Sequence, residues 1–237
     1  TGLPGGRDFT NGIHRREVAS ILDIPMERIP TENSLAYPEI LKAIEQREIR
    51  ALWIVGTNPA HSWIDQSALR RLRDNLDLLV VQDMYVSTET AQMADIVLPA
   101  AGWGEKEGTF INSERRICVI KKVARPPGLA LPDLSIFRLI AAAAGCASLF
   151  ERWRTAEEIF VILQELSAGR PCDFMGINGY RHLDEAGGIQ WPFTAERQEI
   201  RTERRLFESG HFYTTDRRAR FHFEDSRPLP EPPDDDY

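Results

Sequence analysis

Three short apolar runs, separated by segments with helical spacing, constrain the fold of this chain more than any other feature. The runs are Ala51–Val55, Leu78–Val81 and Ile96–Leu98, and Gly56 and Pro99 close the first and the third. Each run is too short for a helix, and an unbroken apolar run is typical of a strand that is buried on both faces. The sequence therefore predicts an α/β fold, with a parallel sheet and helices on both faces in an α/β/α sandwich.

Helical spacing of apolar residues recurs before, between and after these strands. Thr155 and Glu158 also form a capping-box pattern at the start of the last helical segment, which we expect to pack on the same sheet. The predicted helices lie near Ile40–Ile44, Leu69–Leu76, Glu89–Met93, Asp133–Ala144 and Thr155–Leu166.

Changes in composition along the chain predict its domain organisation. Residues 1–35 are rich in glycine, proline and charged residues, and we expect an N-terminal connection with one short helix around Val18–Ile24. Residues 36–168 form the predicted α/β domain, and residues 169–237 an irregular extension that ends in an acidic, proline-rich linker. Because the chain starts at Thr1 without a methionine or a signal-peptide pattern, we expect it to be a piece of a longer polypeptide.

Charge and motif content argue against several classes of function. The formal net charge of −7 argues against a nucleic-acid partner, and no apolar run is long enough to span a membrane. The chain has no Gly-x-Ser-x-Gly, Walker A or Gly-x-Gly-x-x-Gly pattern, which argues against the common hydrolases, nucleoside triphosphatases and dehydrogenases. Three widely spaced cysteines and five histidines without ligand spacing predict neither a disulfide framework nor a metal site, and they favour a reducing compartment such as the cytoplasm.

Polar side chains follow each predicted strand. Thr57 and Asn58 come after the first strand, Gln82 and Asp83 end the second, and Lys106 lies in the glycine-containing loop after the third. Because the carboxyl ends of parallel strands meet at one edge of a sheet, we expect these residues to share a ligand site. Asp83 has the chemistry to accept N–H groups of a guanine base, and Lys106 has the charge to bind a pyrophosphate. Ordinary turn chemistry and a helix-capping aspartate are the alternatives for the residues after the first two strands.

The loop after the third strand is unusually charged. The segment from Trp103 to Arg116 contains six charged residues, Arg116 included, and such a run normally indicates a solvated face. The flanking Trp103, Phe110 and Ile111 predict instead that part of this loop is buried, and buried charges require partners.

Six motifs together resemble the molybdopterin oxidoreductase family over about residues 50–145. They are Gly56-Thr-Asn-Pro59, Val80-Val-Gln-Asp83, Thr88-Glu-Thr-Ala91, Ala94-Asp-Ile-Val-Leu-Pro99, Trp103-Gly-Glu-Lys-Glu-Gly-Thr109 and Asn112-Ser-Glu-Arg-Arg116. The last two motifs and the later Gly187-Gly-Ile-Gln-Trp-Pro192 look most like assimilatory nitrate reductases, with formate dehydrogenase catalytic subunits close behind. Residues 207–221 resemble the segment before the C-terminal cofactor-binding barrel of these enzymes.

The resemblance implies a large enzyme that binds molybdenum through two molybdopterin guanine dinucleotides, carries a 4Fe-4S cluster outside these residues, and reduces nitrate to nitrite with two electrons and two protons. It also implies that the 36–168 domain binds a dinucleotide and that the linker leads to the C-terminal barrel. The residues that match one guanine dinucleotide site of the family are Asn58, Gln82, Asp83, Lys106 and Asp133, with Thr57 adjacent. Asp133 is also well placed as a carboxylate at a helix N-terminus.

No catalytic residue and no metal ligand is expected within these 237 residues, because they contain neither the four-cysteine motif, nor the segment of the molybdenum ligand, nor the barrel of the family. Activity of this chain alone is therefore not expected. The implied partners are the rest of the same polypeptide and an electron donor such as ferredoxin, flavodoxin or an NADH-linked subunit. Three hypotheses follow: part of a nitrate reductase, part of a formate dehydrogenase or another molybdopterin enzyme, and a non-catalytic α/β binding module.

Overall fold

A computed structural model describes residues 2–196, 200 and 205–225 of the 237-residue chain. The helices and strands follow one another along the chain, with short 3₁₀ turns between several of them. In order they are α1 (Gly12–Leu22), α2 (Tyr37–Glu45), β1 (Ala51–Val55), α3 (Pro59–Ser62), α4 (Ala68–Leu72), β2 (Leu78–Asp83), α5 (Glu89–Gln92), β3 (Ile96–Pro99), β4 (Gly108–Ile111), β5 (Arg116–Ile120), α6 (Asp133–Ala143), α7 (Ala156–Ser167), α8 (Gly179–Glu185) and β6 (Ile189–Gln190).

The first three strands form a parallel sheet in the order β1-β2-β3. Trp53 pairs with Val80, which pairs in turn with Ile96. These strands are the ones that the apolar runs predict, and α2, α4 and α5 lie at the predicted places beside them. The predicted α/β fold with a parallel sheet is confirmed.

One face of the parallel sheet packs on α2, α4 and α5. The buried core there joins Ile44, Leu69 and Ala91 of the helices to Ile54 and Leu79 of the strands. All five side chains are 6% exposed or less. The helices therefore bury this face of the strands, as expected for unbroken apolar runs.

The opposite face of the parallel sheet packs on α6. The ring of Phe137 lies 5.3 Å from that of Trp53, centroid to centroid, and the neighbouring Ile136 is buried. Helices therefore lie on both faces, as predicted. The cover by α6 is partial, because Trp53 is 38% exposed and Ile96 is 47% exposed.

The charged loop after β3 leads into a second, antiparallel sheet that the sequence did not predict. In this sheet β4 pairs with β5 and β5 with β6, so that Ile117 lies opposite both Ile111 and Ile189. The expected burial of the loop is wrong, because Trp103, Phe110 and Ile111 are 73%, 46% and 55% exposed. Phe110 and Ile111 lie in β4, which is an edge strand of its sheet. Residues after 169 are likewise not wholly irregular, because they form α8 and β6.

The helix α7 packs on the second sheet and on α1. Its predicted capping box is present. Phe160 lies in a cluster with Ile117 of β5, whereas Ile162 lies in another cluster with Val18 of α1. The expectation that this helix packs on the parallel sheet is wrong, because its two apolar sides contact different partners. Residues 1–35, expected to be a connection, contribute α1 to one of these cores.

A second compact unit begins at residue 202. Within its described residues, 205–225, the ring of Phe207 stacks on that of Phe212 with centroids 4.5 Å apart. A hydrogen bond of 2.9 Å from the Gly210 N–H to the Phe207 carbonyl closes a turn. The predicted acidic linker at residues 227–237 lies outside the described residues.

Within residues 2–196, 200 and 205–225, none of the helices has the length and apolar character needed to cross a bilayer. In the same residues, no three His, Cys, Asp or Glu side chains are grouped so that they could hold a metal ion. Cys118, Cys146 and Cys172 are free thiols.

Candidate functional site

The carboxyl ends of the three parallel strands meet at one edge, as predicted. Val55 pairs with Gln82, and Asp83 pairs with Pro99. Gly56 continues from β1 with a positive φ of 63° and donates its N–H to the Gln82 carbonyl at 2.9 Å. Glycine suits this left-handed turn because it has no Cβ. The residues that follow β1 and those that end β2 therefore lie side by side.

Gln82, Asp133 and Lys106 form one hydrogen-bonded cluster at this edge. Gln82 Nε2 donates to Asp133 Oδ1 at 2.7 Å, and Lys106 Nζ lies 2.5 Å from Asp133 Oδ2. Gln82 points to the α6 side of the sheet, because side chains alternate along a strand and its neighbour Val81 lies in the core on the other side. Asp133 is the first residue of α6, so this helix delivers the carboxylate to the end of β2.

The Asp133 carboxylate is held in its charged form. Burial favours the neutral form, but the hydrogen bonds from Lys106 and Gln82 outweigh burial, so the pKa of Asp133 is lowered from its usual 3.8. The side chains of Lys106 and Asp133 remain 28% and 35% exposed. The ion pair is therefore open to a ligand at the edge of the sheet.

The other polar atom of the Gln82 side chain has no partner among the described residues. Gln82 is only 1% exposed, and its Oε1 is buried without a hydrogen bond. Because the Asp133 carboxylate is an acceptor, it fixes the amide with Nε2 towards it and Oε1 away from it. A buried acceptor without a donor costs about 1 to 3 kcal/mol. An N–H or O–H group of a ligand would be stabilised at Oε1.

Asn58 is held by two residues of α5. Its Oδ1 accepts from the backbone N–H of Thr90 at 3.1 Å and from the Thr90 hydroxyl at 2.6 Å. Its Nδ2 donates to Glu89 Oε2 at 2.6 Å, and this bond lowers the pKa of Glu89. Thr90 is fully buried, and its hydroxyl also accepts from the Ala60 N–H at 3.1 Å. This cluster joins the turn after β1 to the helix after β2.

Asp83 makes contacts within the turn after β2, and the helix cap that the alternative interpretation assigns to it is made by Thr88 instead. Its Oδ1 accepts from the Tyr85 N–H at 3.0 Å, and its Oδ2 lies 3.4 Å from the Thr88 hydroxyl. The side chain is partly exposed, and a carboxylate has further acceptor positions besides these two. Thr57 is exposed on the same turn as Asn58. The turn role of Asp83 therefore leaves acceptor capacity for a ligand.

Sequence reasoning singled out Asn58 and missed Glu89 and Thr90, which hold it. Both lie in the Thr88-Glu-Thr-Ala91 motif, which carries part of the family resemblance and begins a predicted helix. Thr88 caps this helix, since its hydroxyl accepts from the Ala91 N–H. The second threonine of the motif could have indicated the contact with Asn58. A helix needs only one capping hydroxyl, so the Thr90 hydroxyl is available for another hydrogen bond.

A family model described as Molybdopterin oxidoreductase matches residues 14–143 of the chain. This range includes the whole parallel sheet and every residue of the two clusters described above. The chain belongs to the molybdopterin oxidoreductase family. The resemblance carried by the six sequence motifs is thereby confirmed, and family membership implies a cofactor that contains molybdenum and a pterin.

Curated members of the molybdopterin oxidoreductase family match most of the chain. The nitrate reductase of Synechocystis sp. is 37% identical over 237 residues, which cover 99% of this chain and 33% of that protein. The assimilatory nitrate reductase of Haloferax mediterranei is 35% identical over 238 residues, covering 98% and 32%. The F420-dependent formate dehydrogenase 1 subunit alpha of Methanococcus maripaludis is 42% identical over 159 residues, covering 67% and 22%. The chain spans about a third of the length of these nitrate reductases.

Among solved structures, acetylene hydratase from Pelobacter acetylenicus matches with a TM-score of 0.48 and 21% sequence identity, over 66% of this chain and 22% of that chain.

Proposed function

We propose that this chain is the part of a molybdenum-dependent nitrate reductase that binds one guanine dinucleotide portion of the cofactor, Mo-bis(molybdopterin guanine dinucleotide). Family membership supports the molybdenum and pterin components. The relatives from Synechocystis sp. and Haloferax mediterranei match nearly the whole chain and are named as nitrate reductases, which supports nitrate as the substrate.

The buried, unpaired Oε1 of Gln82 is the observation that carries the proposal. A guanine base carries N–H donors on its Watson–Crick edge, and its ribose carries O–H donors, so a guanine nucleotide can supply the missing partner. Gln82 and Asp83 are consecutive in β2 and point to opposite sides of the sheet. The nucleotide would therefore lie across the end of β2 and not on one face of the sheet.

The other residues of the edge have the chemistry for the remaining parts of a guanine dinucleotide. Asp83 offers carboxylate oxygens to the N–H donors of the base. The Lys106 ammonium has three N–H groups and gives one to Asp133, which leaves two for pyrophosphate oxygens. Thr57 and Asn58 complete the site on the turn after β1.

Residues of this chain bind and orient the nucleotide part of the cofactor in this proposal. When bound, the molybdenum centre supplies the two-electron, two-proton reduction of nitrate to nitrite. We place no catalytic residue and no metal ligand in this chain, and we place the 4Fe-4S cluster in other parts of the polypeptide. The chain alone is therefore proposed to be inactive.

The wider organisation is part of the same proposal. Residues 36–168 are the dinucleotide-binding domain, and residues 169–237 lead towards a C-terminal cofactor-binding barrel. The partners are the rest of the same polypeptide and an electron donor such as ferredoxin, flavodoxin or an NADH-linked subunit. We place the enzyme in the cytoplasm, with no nucleic-acid partner.

A formate dehydrogenase is the second candidate function. The formate dehydrogenase subunit of Methanococcus maripaludis has the higher identity, 42%, although it matches only 67% of the chain. The same guanine dinucleotide site would serve either enzyme, and the substrate would differ. Nitrate and formate turnover by the complete enzyme distinguish the two, and cofactor binding without either activity would favour a non-catalytic binding module.

Isothermal titration of the 237-residue chain with GDP tests the nucleotide site. Asp83→Ala leaves the N–H donors of the base without an acceptor, which costs about 1 to 3 kcal/mol, or roughly 5- to 150-fold in Kd. Asp83→Asn should also bind weakly, because an amide turns N–H groups towards a donor edge. Asp184→Ala is the control, since it breaks a distant exposed ion pair with Lys121 and should bind like the wild type.

Metal content of the complete enzyme gives a second readout. Molybdenum per mole is measured by elemental analysis beside the melting temperature of each variant. A normally stable Asp83→Ala enzyme with full molybdenum content would refute the guanine assignment. A stable enzyme with reduced molybdenum content is the expected result.

A further inference from the structure

The side chain of Asn58 has one hydrogen-bonding group left for a ligand. Its Oδ1 accepts two hydrogen bonds from Thr90, so both lone-pair positions are occupied. One N–H of Nδ2 donates to Glu89, and the other has no partner among the described residues. The amide therefore presents a single N–H donor and no carbonyl oxygen.

Partners of opposite character fix this orientation of the amide. The Thr90 backbone N–H can only donate, so it requires the oxygen of Asn58, and the Glu89 carboxylate can only accept, so it requires the nitrogen. The Thr90 hydroxyl accepts from the Ala60 N–H, which directs its own hydrogen to Asn58. A flipped amide would place donor against donor and acceptor against acceptor.

Glu89 determines which group of a ligand fits beside this N–H. The Glu89 side chain is exposed, and its carboxylate lies 2.6 Å from Asn58 Nδ2. A carboxylate at this position repels a phosphate group. A hydroxyl group can accept from Asn58 and donate to Glu89 at the same time. In a guanine nucleotide, such hydroxyl groups belong to the ribose.

We propose that Asn58 and Glu89 bind a ribose hydroxyl of the nucleotide, and that the buried Thr90 is a positioning residue that orients Asn58 for this contact. The inference rests on the proposed function, because the ribose belongs to the guanine dinucleotide assigned to this edge. The turn after β1 then binds the sugar, Asp83 the base and Lys106 the pyrophosphate.

Titration of the 237-residue chain with GDP and with 2′,3′-dideoxy-GDP tests the ribose contact. A hydroxyl that donates to a charged acceptor should improve binding about tenfold, so we expect the wild type to prefer GDP by this factor. Glu89→Ala removes the acceptor and should reduce the preference to about twofold or less. Because Glu89 is exposed, we expect this variant to fold normally.

Thr90→Val separates the positioning role from simple packing. Valine keeps the shape of threonine without its hydroxyl, so the preference for GDP over dideoxy-GDP should fall to about twofold or less. The melting temperature is measured beside it, because the Ala60 N–H also loses its acceptor. Thr90→Ser restores the hydroxyl and should recover the preference. Ser167→Ala is the matched control: this buried hydroxyl, 1% exposed, accepts from the Phe174 N–H at 3.1 Å in another core, and its loss should lower stability only.

The possible outcomes separate this inference from the proposed function. A wild-type chain that does not bind GDP would overturn the guanine dinucleotide assignment and the ribose contact with it. Equal affinity for GDP and dideoxy-GDP would overturn the ribose contact alone. If Glu89→Ala preferred GDP over dideoxy-GDP as strongly as the wild type does, the role of Glu89 would be overturned. The same result for Thr90→Val would overturn the positioning role of Thr90.

Discussion

Asp133→Ala is the substitution that most directly tests the Gln82–Asp133–Lys106 cluster. It removes the acceptor of Gln82 Nε2, which lies 2.7 Å away on a residue that is 1% exposed. A buried amide left without this partner costs about 1 to 3 kcal/mol. The ion pair with Lys106 adds about 0 to 1 kcal/mol, because its side chains are 28% and 35% exposed and solvent screens their charges. The two ranges together span about 1 to 4 kcal/mol, and from their midpoints we expect the free energy of unfolding to fall by about 2 to 3 kcal/mol.

Thermal unfolding followed by circular dichroism measures this loss. In a chain of this size 1 kcal/mol corresponds to about 2 to 4 °C, so Tm should fall by roughly 4 to 12 °C. Asp133→Asn keeps an acceptor oxygen for Gln82 and should cost about 1 kcal/mol or less. Asp184→Ala is the control, because its ion pair with Lys121 is 2.7 Å long but 62% and 50% exposed. Its Tm should fall by no more than about 4 °C.

Two results would refute this reasoning. If Asp133→Ala and Asp184→Ala lowered Tm equally, the buried amide would contribute nothing beyond a surface ion pair. If Asp133→Ala and Asp133→Asn lowered Tm equally, the charge of Asp133 would be what stabilises the cluster, and its hydrogen bond to Gln82 would contribute nothing.

Three further predictions concern the same edge and the chain as a whole. Because the pKa of Asp133 is lowered from 3.8 in the fold, its contribution to stability is present above pH 3.8 and is lost as the pH falls through the lower folded value. The difference in Tm between the wild type and Asp133→Ala should therefore shrink below about pH 4, and an unchanged difference at about pH 3 would contradict this. Lys106→Ala should weaken GDP binding in a titration, and Lys106→Arg should restore it only in part, because a planar guanidinium does not replace a compact ammonium; full recovery would argue against the pyrophosphate contact. The purified chain should show no iron–sulfur absorption and no nitrate reduction with reduced viologen, since three free thiols do not make a four-cysteine cluster site, and measurable turnover would overturn the proposal that the chain alone is inactive.

The sequence by itself determined the parallel sheet and the edge of it at which we propose the site. Strands such as Ala51–Val55 appear as apolar runs, and α2 appears as helical spacing, because burial acts on neighbouring residues of one element. The residues that follow the strands could be named as well, since parallel strands end at one edge. Asn58, Gln82 and Asp83 were predicted in this way, and the structure places all three at that edge.

Only the tertiary structure decided which partner each of these residues has. The second sheet pairs Arg116 of β5 with Gln190 of β6, and a pairing across such a distance leaves no local pattern. The same holds for the bond between Gln82 and Asp133, which lie 51 positions apart, and for the bond between Asn58 and Thr90, which lie 32 apart. Periodicity records which side of an element is apolar. It does not record which distant element will pack there, because hydrogen bonds and packing depend on positions in space that are fixed only when the whole chain has folded.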